Sequence, residues 1–318
     1  MLKGRFSRWL FPALYLTCAL FIGGILFSVL SFTNNDSSNS LPVRMPSLTK
    51  SFSLPQQLEF AGESVPLDNF DTRESLDKEL LVNGYWHSRT MLVLKKSKRY
   101  FGIIEPILKK YGVPVDFKYL AMAESGFENI VSPAKAAGFW QLLESTAKEY
   151  GLEVNEDVDE RYNLEKSTEV ACKYLLESYA KYGNWTMAAA TYNAGRDGLD
   201  KQIEKQQTGN YYDLLLNEET ARYIFRLIAH KLITENPDEF GFHLDDNDYY
   251  PLISTHEIAV DTAISNIAMF ALNQSTNYKI IKQFNSWLRQ NYLPDRAQKI
   301  YYLTIPDAGE RSLKQSQQ

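Results

Sequence analysis

Apolar residues recur at helical spacing through most of this chain. Across residues 75–111 they fall at Leu76, Leu80, Leu81, Met91, Leu94, Ile103, Ile104, Ile107 and Leu108, a three-to-four spacing that predicts helix. Further helices are marked by their ends. One over 145–150 stops at Gly151 and one over 173–182 stops at Gly183. Asn184 caps a helix over 185–193 that stops at Gly195, and Asn217 caps a run through Ile233, with Pro237 beyond it. Pro114 and Asp116 open a short helix that Gly126 closes. The body to about residue 240 therefore reads as nearly all helix. The pattern then changes: 255–260 and 299–305 (KIYYLTI) read as strands, 263–272 and 278–288 as helices. Strand, helix, helix, strand is the signature of a small separate α+β module, or of an edge packed on the body.

The N-terminus has its own pattern. Lys3, Arg5 and Arg8 precede an uncharged run over 9–32, and Asp36 is the first charge beyond it. As a helix that run is about 36 Å long, enough to cross a hydrocarbon core of about 30 Å. Basic residues before the span predict a cytoplasmic N-terminus and an exported body. Two readings stay open for 1–33, a membrane anchor or a cleaved signal segment. Residues 34–58 follow as a flexible linker, rich at first in Asn, Ser and Pro.

The chain has 318 residues, enough for about two domains. Lys and Arg total 34 against 39 Asp and Glu, a net charge of -5, which gives no electrostatic case for nucleic acid. Two cysteines, Cys18 and Cys172, build no disulfide framework. Cys172, among Val170, Ala171 and Leu175, is expected to pack as a small apolar residue. The sequence has no phosphate loop, no HExxH and no CxxC, and its four histidines are scattered. Neither a metal nor a cofactor is expected, and no Ser-His-Asp triad. Carboxylates remain as the source of any chemistry.

Glu124 stands out among them. It continues the apolar stripe of Phe117, Leu120 and Ala121, so a helix that buries the stripe carries this carboxyl inward at its C-terminal end. Desolvation and the negative helix end both favour its protonated form there, as a general acid requires. The bland alternative is a helix-end Glu turned to solvent. Tyr192 lies on the stripe of Trp185, Ala188 and Ala189 and needs a hydroxyl partner, while Glu219 suits the first turn of its helix.

Six stretches carry a resemblance: FAGESVPL (60–67), AESGF (123–127), SPAKAAGFWQL (132–142), STAKEYGL (145–152), TYNAG (191–195) and EETARYIFRLIA (218–229). In this order they resemble the SLT-type lytic transglycosylases of glycoside hydrolase family 23, and among them the membrane-bound lytic murein transglycosylase D subgroup. The resemblance implies a mainly α, lysozyme-like (goose-type/SLT) catalytic domain over 113–242. A helical N-terminal extension over 59–112, a degenerate LysM-like βααβ module over 245–310 and a tail at 311–318 complete the partition. It implies an enzyme that cleaves the MurNAc-GlcNAc bond of peptidoglycan and leaves 1,6-anhydro ends. Glu124 matches the family's acid/base. Ser132, Gln141, Tyr192 and Asn193, with Ser125 and Phe139, match the glycan site, and Glu219 matches a supporting acid. The implied partners are peptidoglycan strands and, through 1–33, the membrane of a bacterial envelope with the catalytic domain facing the wall. The family often has Met-Pro where this chain has Leu143-Glu144, a departure at one subsite. Asp157, Asp159 and Glu128 stay open as further carboxylates. A goose-type-lysozyme-like hydrolase and a non-catalytic peptidoglycan-binding protein are the rival readings.

Overall fold

The computed structural model describes residues 50–295 and 299–311. The expected anchor or signal at 1–33, the linker up to 49, Cys18 and the tail from 312 lie outside the described residues. Among the described residues no helix is long and apolar enough to cross a membrane.

The chain enters through a small antiparallel hairpin, β1 (Glu59–Phe60) with β2 (Glu63–Ser64). Then follow α1 (Phe70–Tyr85), α2 (His87–Tyr111), α3 (Lys118–Ser125), α4 (Glu144–Glu149), α5 (Leu164–Tyr182), α6 (Trp185–Ala194), α7 (Arg196–Gln206) and α8 (Glu218–Glu235). The mainly α body and the expected caps are present. Asn184 accepts from the backbone of Met187 and Asn217 from that of Thr220. Glycines 112, 126 and 183 end α2, α3 and α5 in the left-handed conformation.

Two expectations are corrected near the N-terminus. The linker does not run to residue 58: Phe52 is buried, stacks on Tyr85 and touches Phe240. Its ring occupies the space a Cβ on Gly84 would fill. The extension over 59–112 is not all helix either, because it starts with the hairpin. Glu63 of that hairpin accepts from the first backbone amides of α6, at Trp185 and Thr186, and from the Thr186 hydroxyl. A carboxylate thus meets the positive end of a helix more than a hundred residues away.

The C-terminal module holds β3 (Thr255–Val260), α9 (Ile267–Asn273), α10 (Tyr278–Phe284) and β4 (Tyr301–Pro306), with β3 and β4 antiparallel. The second helix is shorter than the expected 278–288. Asn285, fully buried, exchanges side-chain hydrogen bonds with the backbone of Thr304 on β4 and donates to the Ile281 carbonyl, which ends α10. The module is fused to the body. Val158 pairs with Leu288, the Asp159 amide donates to the Trp287 carbonyl at 2.9 Å, and the Arg289 amide to the Asp157 carbonyl at 2.8 Å. Ala137, Val158 and Tyr162 of the body belong to the module's hydrophobic core.

Candidate active site

Glu124 ends the last turn of α3. A 3-10 turn over Val115–Phe117 leads into that helix, and the stripe Phe117, Leu120 and Ala121 is fully buried, as the periodicity predicts. Gly126 terminates the helix just beyond. Glu124 itself is half-buried: protein surrounds the carboxyl while a path to solvent stays open. Desolvation pushes its pKa from 4.5 up to about 7. The hydrogen bond from Tyr223 and the cation of Arg226 pull the other way, and the charge of Glu219 adds to the rise.

The contacts come from α8. The buried Tyr223 donates its hydroxyl to Glu124 Oε1. Burial, then the Glu124 charge, raise the Tyr223 phenol well above its ordinary value, so it stays a donor. Arg226 pairs with Glu219 at 3.0 Å and lies 3.9 Å from the buried carboxylate of Glu79 on α1. Glu79 also accepts from Arg222 Nε. Tyr223, Arg226 and Glu79 were absent from the sequence-based site. Tyr223 follows Glu219 by one helical turn, and that spacing is the signal that could have found it.

The loop 130–142 forms a second wall. Short bridges join Val131 to Ala137 and Ala137 to Leu142. Gly138 has φ +81°, and a Cβ there would sit 2.1 Å from the Arg161 carbonyl oxygen, so only glycine fits. Gln141 also lies in the left-handed region, at φ 47°, and its amide nitrogen donates to the carbonyls of Gly138 at 2.8 Å and Ile130 at 3.1 Å. Ser132 Oγ accepts from the Ala136 amide at 3.0 Å, closing the turn. Arg161 supports the loop from behind: it grips Asp159 through two bonds and donates to the carbonyls of Lys135 and Leu142.

The remaining candidates divide. Tyr192 donates to the Trp140 carbonyl at 2.8 Å, and the Glu124 charge contributes to its raised pKa, so it belongs to the same neighbourhood. Asn193 accepts from the Thr220 hydroxyl at 2.8 Å, joining the end of α6 to the start of α8. Ser125 is buried, donates to the Phe139 carbonyl at 2.9 Å and accepts from the Phe127 amide. Phe139 is buried among Tyr100 and Phe127. These last two pin the loop to α3 and face inward. The other carboxylates are engaged elsewhere: Asp159 with Arg161, Glu128 with Lys96 at 2.6 Å, and Asp157 with the Tyr292 hydroxyl at 2.9 Å. Cys172 is buried, and burial pushes its thiol up to about 12. Among the described residues no group of His, Cys, Asp and Glu is arranged to hold a metal.

Residues 102–215 match the transglycosylase SLT domain, and residues 256–309 match the soluble lytic transglycosylase C-terminal LysM-like domain. This chain carries an SLT domain. The resemblance and the mainly α, lysozyme-like fold with a small LysM-like end module are thereby borne out. The SLT match ends before α8, so Tyr223, Arg226 and Glu219 lie beyond it, and Glu79 lies before it. Membrane-bound lytic murein transglycosylase D of Escherichia coli K12 is 25% identical over 266 residues, covering 81% of this chain and 57% of that protein. The protein of the same name from Escherichia coli O6:H1 gives the same values. The chain thus spans little more than half the length of these curated relatives. A solved structure of the lytic transglycosylase Slt from Pseudomonas aeruginosa, an inactive mutant, is 18% identical with a TM-score of 0.36, covering 48% of this chain and 26% of that one.

Proposed function

We propose that this protein is a peptidoglycan lytic transglycosylase that cleaves the MurNAc-GlcNAc bond with Glu124 as the only proton-transfer group. One observation carries the reading: a half-buried carboxyl whose pKa is raised to about 7, at the end of a helix inside an SLT domain. Near neutral pH such a group is present both as acid and as base, the condition under which one residue serves both halves of a reaction.

The steps follow from that proton. Glu124, protonated, gives its proton to the bridging oxygen as the bond to the anomeric carbon breaks. The substrate's 2-acetamido oxygen stabilises the cationic carbon. Glu124, now a carboxylate held by the Tyr223 hydroxyl and favoured by the charge of Arg226, takes the proton of the muramyl 6-hydroxyl. That oxygen bonds to the anomeric carbon, and Glu124 regains its proton. No water is consumed, and the product is a 1,6-anhydro end. Gln141, Ser132, Tyr192 and Asn193 shape the wall that receives the glycan, Ser125 and Phe139 position it, and Glu219 supports through Arg226. The uncharged run at 9–32 anchors the protein in a bacterial envelope membrane with this site facing the wall.

The test is mass spectrometry of purified wall sacculi digested by the full chain. Anhydro-ended fragments are expected, and they disappear with Glu124→Gln. Reducing ends in their place would reassign the chain to a hydrolase on the same fold. Binding without any cleavage would reassign it to a wall-binding protein. Retention of the chain in membranes after a high-salt wash tests the anchor, and a soluble protein starting near residue 31 would overturn it.

A further inference from the structure

Arg161 touches the loop 130–142 twice. Its guanidinium donates Nη1 to the carbonyls of Lys135 at 2.9 Å and Leu142 at 3.3 Å. Its own carbonyl oxygen fills the place that a Cβ on Gly138 would take. The guanidinium is fixed from its other edge as well, with Nε on Asp159 Oδ1 at 2.9 Å and Nη2 on Oδ2 at 2.8 Å. Both residues are buried, so the planar fork is held in one orientation and two of its edges are used at once.

The two carbonyls it holds sit at the strained positions of the loop. Lys135 has φ 62°, and Gln141, which immediately precedes Leu142, has φ 47°. Left-handed backbone is unfavourable for such side chains and persists where the surroundings hold it. The Gln141 amide bonds to Gly138 and Ile130 lie within the loop and move with it. Ser125 and Tyr192 hold the middle of the loop from outside, at the carbonyls of Phe139 and Trp140. Arg161 holds it from outside at Lys135 and Leu142. The ground under Arg161 belongs in part to the C-terminal module. The Asp159 amide donates to the Trp287 carbonyl, the Arg289 amide to the Asp157 carbonyl, and Val158 pairs with Leu288. Ser286 Oγ donates to the Tyr162 carbonyl at 3.1 Å. Residues 157–162 thus form a strap with the module on one side and the loop on the other.

We propose that Arg161 is a positioning residue: it sets the backbone at Gln141, and with it the wall that receives the glycan, from a strap that the LysM-like module keeps in place. The role of that wall in taking glycan rests on the function proposed above; the hold of Arg161 on the loop does not. Arg161 is not among the groups that act on Glu124, which are Tyr223, Arg226 and Glu219. Its loss therefore changes how substrate is received and leaves the proton chemistry of the acid as it was.

Arg161→Lys in the full chain tests the proposal, because it keeps the charge while a single ammonium nitrogen cannot replace the fork. Amide hydrogen exchange at Gly138, Gln141 and Leu142 should quicken by about tenfold or more, with the α5 amides of Cys172 and Leu175 at the parent rate. With a short soluble glycan, KM should rise about tenfold while kcat stays within about threefold and the alkaline limb of the rate profile does not move. If Arg161→Lys fails to fold, Asp159→Asn decides by the same readings, since it loosens the grip and leaves the guanidinium in place. On the module side, Leu288→Ala thins the contact with Val158 and should quicken the same loop amides by a smaller factor. Parent-like loop exchange in the Arg161 or Asp159 variant would overturn the proposal. So would loop and α5 amides quickening together, or kcat falling at the parent KM, the marks of a residue that only stabilises the fold. Parent-like loop exchange in Leu288→Ala would overturn the share given to the module. Exchange needs no turnover, so a parent that leaves no anhydro ends would sink the function proposed above and leave this assignment to be decided by the loop amides.

Discussion

The hydroxyl of Tyr223 donates to Oε1 of Glu124, joining helices α8 and α3 across 99 residues of sequence. The bond favours the carboxylate and so holds the pKa of Glu124 below what burial alone would give.

Tyr223→Phe keeps the buried ring and removes only the donor. The pKa of Glu124 should then rise further above about 7. The proposed first step needs the protonated acid, so the alkaline limb of kcat/KM should move up by roughly one pH unit. At neutral pH kcat should fall about tenfold or more, because the carboxylate formed in mid-reaction loses its hydrogen bond. A pH–rate profile checks both, and an unmoved limb would remove Tyr223 from the site.

Glu124→Gln keeps size but neither donates a proton as an acid nor accepts one as a base. General acid–base catalysis is worth about 10²–10⁴ in rate, and both steps use this one group, so the loss should reach the top of that range. Stability should move the other way. The folded pKa of about 7 lies above the ordinary 4.5, so the folded state binds more protons between those values. The parent therefore loses stability as pH rises from about 4.5 to 7, by at most roughly 3 kcal/mol. The amide is free of this cost, and its stabilising effect should be larger at pH 8 than at pH 5. Denaturant unfolding at the two pH values measures it, and cleavage within about tenfold of the parent rate would disqualify Glu124 as the acid.

The legible part of this protein is its local part. Phe117, Leu120 and Ala121 define a buried stripe by spacing alone, and Glu124 follows as its next position. Asn184 and Asn217 announce the helices they cap because a cap acts within three residues. What escaped depends on distant partners. Glu63 reads as a loop acid until α6 arrives above it. Asn285 sits within an apparently helical run, and only β4 explains why the helix stops there. Phe139 and Ser125 belong to motif stretches, yet both face the interior, since short-range pattern does not say which side of an irregular loop meets the ligand.

The C-terminal module is fused to the body by backbone hydrogen bonds at residues 157–159 and by a shared core that includes Ala137, Val158 and Tyr162. Ala137 is part of the loop wall beside Gln141. Truncation after Leu244 should therefore lower the unfolding midpoint by roughly 5 °C or more and reduce turnover of short soluble glycans together with binding to insoluble wall. Parallel assays of the two substrates check this. Loss of wall binding with soluble turnover and the midpoint intact would mean that the module is an independent binding domain.

Glu79 is the residue of this charge network that lies farthest along it from Glu124. It lies on α1, almost completely buried, and takes Arg222 and Arg226 from α8 with Asn83 alongside. Arg226 acts on Glu124 through its charge, and Glu79 partly neutralises that charge. Around Glu124 the other influences are Tyr223, Glu219 and Tyr192, none of which Glu79→Gln alters directly. The substitution leaves Arg226 with its exposed partner Glu219 and Arg222 with the exposed Glu218. More positive field then reaches Glu124, its pKa falls, and the alkaline limb of the rate profile moves down, opposite in direction to Tyr223→Phe. Stability should fall by about 3 kcal/mol, since breaking a buried ion pair typically costs 3–5 and the amide still accepts one hydrogen bond. Rate profiles of the two single variants and the double variant separate the effects: opposite single shifts that cancel in the double place Glu79 in control of the acid. An unmoved limb with the stability loss alone would confine Glu79 to holding α1 on α8.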